Sequence, residues 1–378
     1  MNEQYHQNNF TMNRQSLLQN FFLLHLLFSS LLITAQSRRY CGPVKSDTSF
    51  LLSMARLEQS PGYRVQTTTR MIKVFIHVLY DNNGTNAAIG TDDLEDEFAD
   101  LLADYSSNNL CFFLAGIDTI HNTSLNASFN ADNDDPAEFD PYQAGGCINI
   151  FYLRSIGGTN TACDPPCGYG GIALGGIPGT FCLVDDGNIG SHTISHEVGH
   201  CLGLSHTFAS INGRECINGS NSLLAGDLIG DTNADPFSFD GESCYSETAS
   251  GCGYNGSCED PCGDRNYTPP FNNLMSYWGG CITQYFSAGQ FIRVNATIDN
   301  NSAINACAAP SNLTQNAISR SSGYLVRAAI NTLTTNGAVS VTASAISSFG
   351  GATVVLTPGF IASPSGSGET TIKVTGCN

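Results

Sequence analysis

The 378-residue chain predicts an α+β fold. A mixed β-sheet with helices packed on it comes first, then a loop-rich half stapled by cysteines, then a small all-β segment. Three observations carry this expectation. Apolar runs rich in β-branched and aromatic residues at 71–80, 111–117 and 148–153 read as buried strands, and an amphipathic helical pattern separates the first two. Residues 209–270 have little periodicity but hold Cys216, Cys244, Cys252, Cys258 and Cys262. From 308 onward charges and aromatics thin out, and Ser, Thr, Ala and Gly dominate short alternating runs.

Taken in order, residues 1–35 form an expected signal peptide. Its apolar run from Leu17 ends in Ile33-Thr34-Ala35, a small-residue cleavage site. The start is Met1 or Met12, the latter giving a neater basic n-region. The run nearly spans a bilayer, but its position favours cleavage, so no transmembrane anchor is expected after its removal. Fifteen cysteines fit an oxidising, extracellular compartment. Residues 36–69 read as a pro-segment with a modest helical pattern at Leu51, Leu52, Met54 and Leu57, then a polar processing zone up to Arg70.

Met71 to Tyr80 predicts a strand ended by Asp81-Asn82-Asn83-Gly84. Thr91 is the expected cap of a helix whose apolar face is Leu94, Phe98, Leu101, Leu102 and Tyr105. Residues 121–146, rich in Asn and Asp, predict a surface excursion. His77 and His121 stand alone and read as structural or solvated. A disulfide is the expected state of Cys163 and Cys167 in the glycine-rich stretch 157–186. With Cys281, the lower half has six cysteines to staple its loops. Ser287 and Gln290 form a capping box, with Phe286 and Phe291 as its staple, opening a helix that runs towards Asp299. Residues 308–378 predict a short β-solenoid or strand stack.

Charge excludes one large class of partner. The formal net charge is −18 with only 15 Lys+Arg. Nothing here neutralises a run of phosphates, so no nucleic acid is expected.

The chemistry concentrates in His196-Glu197-Val198-Gly199-His200-Cys201-Leu202-Gly203-Leu204-Ser205-His206. Histidines four apart stand on one face of a helix, about one turn from each other. Two neutral imidazoles so placed take two corners of a zinc tetrahedron. Glu197 reaches a metal-bound water as general base. Gly203 suits a left-handed turn that ends the helix and returns His206 as third ligand. Three ligands leave a position for water, the mark of a catalytic zinc.

The stretches HEVGHCLGLSHTF (196–208), GDLIGDTNADP (226–236), NLMSY (273–277) and QYFSAGQFIRV (284–294) together resemble the pappalysin group of metzincin metalloproteases. The likeness covers roughly residues 70–300. It implies a metzincin-like catalytic domain over 70–307, with an active-site helix, a backing helix and a loop-rich lower subdomain. It implies that Met275 lies beneath the zinc site as the Met-turn and that Tyr277 contacts the zinc or steadies an oxyanion. It raises calcium binding by Asp227 and Asp231, with Asp235 nearby. It also implies an edge strand, at Ala173-Leu174 or Phe181 to Val184, to which an extended peptide substrate adds.

The function expected is a secreted zinc-dependent endopeptidase acting on proteins or peptides and made as a latent zymogen. The alternative is a catalytically silent adhesion protein, which has no need of Glu197. With no carboxylate in Ser276 to Gly280, no preference for a basic residue just after the cleaved bond is expected. Fifteen cysteines leave at least one unpaired; Cys201 in the active-site helix is a rival, but a buried helix cysteine is commonly inert, and Cys41 is the candidate. In the latent form its thiolate, favoured by Arg38 and Arg39, would take the fourth zinc position. Residues 308–378 hold no candidate ligand. They are expected to be dispensable for hydrolysis and to serve stability or cell-surface attachment.

Overall fold

The computed structural model describes residues 41–42, 45–63, 68–160, 167–248, 250, 252–278, 285–343, 345–356, 358, 360–365 and 369–374. The expected signal peptide, Arg38, Arg39, Cys163, Cys281 and Cys377 lie outside them.

A five-stranded sheet organises the protein. β1 (Arg70–Tyr80) pairs in parallel with β2 (Leu110–His121) and β3 (Ile148–Leu153). Next to β3 runs β7 (Phe181–Asp185), also parallel, and the short β6 (Gly171–Ile172) closes that side antiparallel. The order is β2-β1-β3-β7-β6. A small hairpin of β4 (Ile156–Asn160) and β5 (Cys167–Tyr169) stands beside it. The edge is therefore Gly171–Ile172. Phe181 to Val184 is an interior strand, paired on both sides, so that alternative for the substrate edge falls.

β1 is buried on both faces, as its unbroken apolar run requires. Ile72, Val74 and Ile76 face the helices and share a core with α2 (Thr91–Tyr105), α4 (Thr193–Cys201) and α5 (Ala288–Asn300). In α2 the predicted apolar face is present, but Gly90 is the cap and Thr91 the first helical residue. The capping box of Ser287 and Gln290 is formed, and the Phe286 and Phe291 rings lie 5.6 Å apart.

Residues 121–146 are more than a polar excursion. α3 (Thr123–Ser128) and a 3-10 turn (Pro136–Tyr142) bury Leu125, Phe129 and Phe139 against β3 and β7. His77 is structural: its Nδ1 meets Asp118 Oδ1 at 2.7 Å, and its Nε2 meets Asn149 Oδ1 at 3.1 Å. Disulfides Cys216–Cys262 and Cys244–Cys258 staple the lower loops, and Cys111 and Cys252 are also disulfide-bonded. Cys307, at the end of α6 (Ser302–Cys307), is a free buried thiol.

Ahead of the sheet, α1 (Thr48–Glu58) is capped by Asp47 and lays Leu51 and Ala55 on Ile177 and Leu228. Glu58 pairs with Arg293 of α5, which is fully buried; Nε lies 2.5 Å from Oε1, and Nη2 lies 3.1 Å from Oε2.

Residues 312–374 form three parallel sheets of three strands each among the described residues. β8 (Asn312–Gln315), β11 (Thr332–Thr335) and β14 (Thr353–Val355) stack as one side, and β9 (Ile318–Arg320), β12 (Val339–Ala343) and β15 (Phe360–Pro364) as the second. β10 (Tyr324–Ala328), β13 (Ile346–Gly351) and β16 (Glu369–Val374) make the third. This is a three-rung parallel β-helix, the solenoid that the alternating runs predict. Like residues stack in register: Leu313 on Leu333 on Val354, and Ile318 on Val339 on Phe360. The β-helix is no loose tail. Val326, Ala328 and Ala309 share a core with Met71, Phe75 and Phe113 on the other face of the sheet, and Tyr324 donates to Asp118.

Candidate active site

The site grows from α4. His196 and His200 stand one turn apart on it, and both are buried. His196 Nδ1 lies 2.6 Å from the Leu274 carbonyl, and His200 Nδ1 lies 2.7 Å from the Leu204 carbonyl. A carbonyl only accepts, so each Nδ1 carries the proton and each Nε2 presents a lone pair. Gly203 ends the helix at φ +91, a conformation that L side chains rarely adopt, and Leu204 N–H closes on the Gly199 carbonyl at 2.9 Å. That turn delivers His206, whose Nε2 stands 3.1 Å from that of His200.

The donor atoms of Cys41, His196, His200 and His206 all lie within 4.8 Å of one another. The His196 Nε2 is buried without a hydrogen-bond partner. Burial pulls the His196 pKa down to about 4 and lowers His200 and His206 as well, with mutual repulsion adding to it. Neutral imidazoles with converging lone pairs are stable together only around a cation. Nitrogen and sulfur donors in this number suit zinc.

Glu197 is fully buried, and burial pushes its carboxyl up to about 8. Its Oε2 accepts from the Cys41 thiol at 3.4 Å, and its Oε1 has no partner. Burial, then the Glu197 charge, push the Cys41 thiol up. Tyr277 Oη donates to the Cys41 carbonyl at 2.9 Å and lies 3.1 Å from His206 Nε2. Met275 is fully buried under α4; a Cβ on Gly199 would meet its sulfur at 2.7 Å.

Residues 41–42 and 45–47 lie beside the sheet edge. Cys41 bridges Gly171 in parallel, Gly42 N–H donates to the Gly171 carbonyl at 2.8 Å, and Asp47 N–H to the Ile177 carbonyl at 3.0 Å.

Among the described residues, the three aspartates of the lower loop gather no cluster of metal-ligand atoms. Asp227 accepts from Ile229 N–H and Thr232 Oγ1, while Asp231 accepts from Ser287 Oγ and Gly289 N–H at the start of α5. Their carboxylates are spent on separate partners, and nothing among the described residues carries the calcium expectation. Asp235 has a role that sequence reasoning missed. It accepts from Thr207 at 2.6 Å, Ser276 at 2.7 Å and Trp278 Nε1 at 2.9 Å, pinning the residue after His206 to both sides of Tyr277. Asn273 and Gln290 exchange paired amide bonds of 2.8 and 2.9 Å, which tie the Met275 turn to α5. The available signal was adjacency: Thr207 follows His206, and Ser276 and Trp278 flank Tyr277.

No family model matches the chain. It is 33% identical to human pappalysin-1 over 115 residues, 29% of this chain and 6% of that protein. It is 27% identical to an extracellular metalloprotease of Podospora anserina over 247 residues, 60% of this chain and 72% of the relative. A Colletotrichum graminicola extracellular metalloprotease is 26% identical over 292 residues, 71% of this chain and 96% of the relative. The chain thus spans a small fraction of the mammalian relative and most of the fungal ones. No helix among the described residues is long and apolar enough to cross a membrane.

Proposed function

We propose that this homologue of pappalysin-1 and of fungal extracellular metalloproteases is a secreted, zinc-dependent endopeptidase with a latent form. One observation carries the reading: three histidine nitrogens and the Cys41 sulfur converge within 4.8 Å, with Glu197 against the thiol. His196, His200 and His206 would hold zinc, which when bound supplies Lewis acidity for activating water and polarising a carbonyl. Glu197 would take the proton and pass it to the leaving amine. Tyr277 Oη, beside His206, is placed to donate to the developing oxyanion. The Gly171–Ile172 edge offers backbone groups to an extended peptide.

Latency is assigned to residues 36–69. Support comes from the bridges of Cys41 to Gly171 and of Ser46 to Ile177, which occupy the edge a substrate needs, and from Cys41, which sits where a water would. Residues 70–307 would be the catalytic part and 308–378 a stabilising β segment.

The test uses the full chain on casein, before and after limited cleavage within 59–70. The expected result is silence before cleavage, hydrolysis after it, loss with a chelator and return with zinc. A processed chain holding stoichiometric zinc that cuts no peptide would overturn the reading.

A further inference from the structure

The buried cation Arg293 meets an opposite charge, Glu58. Lys73 does not. It lies on β1 between Met71 and Phe75, on the face turned to the β-helix and away from α4. Its Nζ donates to the Ala306 carbonyl at 2.9 Å, and no carboxylate among the described residues pairs with it. An ammonium has three donors, so two are uncommitted. Burial lowers its pKa, the response of a cation desolvated without a counter-charge.

Lys73 opens into a cavity of about 510 Å³ at the seam between the sheet and the β-helix. Arg327 of β10 lines the same cavity. Its Nε binds Gln315 and its Nη1 binds the Val326 carbonyl at 2.8 Å, which leaves Nη2 without a hydrogen bond among the described residues. It too has no carboxylate partner there. Two half-buried cations sharing a cavity without an anion are unusual in a chain with 33 Asp+Glu and 15 Lys+Arg. The remaining wall is mainly apolar, with Pro310, Leu313 and Val326. A volume in this range holds a small organic molecule.

We propose that this cavity binds an amphipathic organic acid, its carboxylate held by Lys73 and Arg327 and its short apolar body against Pro310, Leu313 and Val326. Two charge-assisted contacts fix the head. The site lies across the sheet from the histidines, so it is independent of the protease reading.

The experiment is titration calorimetry of the full chain with octanoate and, separately, with neutral octanamide. Octanoate should bind one per chain and at least tenfold more tightly than octanamide. Lys73→Met and Arg327→Met should each weaken octanoate by about tenfold or more and leave octanamide nearly unchanged. Absence of octanoate binding, equal affinity for the two compounds, or unchanged octanoate affinity in a folded Lys73→Met would overturn the proposal. If Lys73→Met melts early, Arg327→Gln replaces it, and the comparison of the two compounds on the natural chain still decides.

Discussion

Gly171→Ala tests the placement of Glu197 without touching a metal ligand or the general base. A Cβ built on Gly171 lies 2.5 Å from Glu197 Oε1, 2.7 Å from Cγ and 2.8 Å from Cδ. Ordinary contacts are near 3.5 Å, so relief needs a displacement of about 1 Å. The Glu197 side chain has little room to give it, because the added Cβ meets its Cγ and Cδ as well as Oε1. A shift of about 1 Å in a proton-transferring group costs roughly a hundredfold in rate. Overpacking of this kind costs about 1–3 kcal/mol of stability. The backbone of residue 171 keeps its ladder bonds, and His196 and His200 keep their carbonyl partners. The expected result in the processed chain is therefore a kcat lower by about a hundredfold, with zinc content unchanged. Metal analysis, peptide-cleavage kinetics and a thermal melt read these together. An unchanged kcat at full zinc would refute the packing argument, and loss of zinc would show that the strain falls on α4 instead.

Four further outcomes are expected. Glu197→Ala should keep near-stoichiometric zinc by metal analysis while hydrolysis disappears; joint loss of metal would make Glu197 structural. Cys41→Ser in the uncleaved chain should hydrolyse peptides before any processing, and latency equal to the natural chain would remove the thiol from the explanation. Glu58→Ala leaves Arg293 buried without its partner and should cost about 3–5 kcal/mol by denaturant unfolding; a cost under a tenth of that would mean that water reaches the guanidinium. The hydrogen bond from His192 to Asp104, 2.9 Å long, and then the charge attraction raise the histidine pKa above 6.5. A raised folded-state pKa gives stability that is whole below the unfolded value and fades as pH climbs through the folded one. Asp104→Asn should therefore lower the melting temperature near about pH 5.5 and much less near about pH 8.5.

The same geometry revises what truncation should do. Removing residues 308–378 re-exposes Phe75 and Phe113, and each costs roughly 1.5–3 kcal/mol. A chain cut after Cys307 is expected to melt well below the full chain, even though every residue assigned to the chemistry lies ahead of the cut.

Local spacing by itself determined the helix with His196 and His200, the turn at Gly203, the return of His206, the buried strands and the capping box at Ser287. Each depends on a few consecutive residues, where helical periodicity, a left-handed glycine and short-range capping act without help from distant chain. The stacking of residues in the β-helix was partly legible for the same reason, because alternation is local. Tertiary structure decided the rest. The three aspartates near 230 look alike in sequence; Asp227 keeps local partners, and only the arrival of Ser276, Trp278, Ser287 and Gly289 from far along the chain gives Asp231 and Asp235 theirs. Which strand forms the sheet edge depends on pairing partners, and composition cannot name them. The placement of Cys41 beside Glu197 is likewise set by the fold, because residues 156 positions apart meet only through tertiary packing.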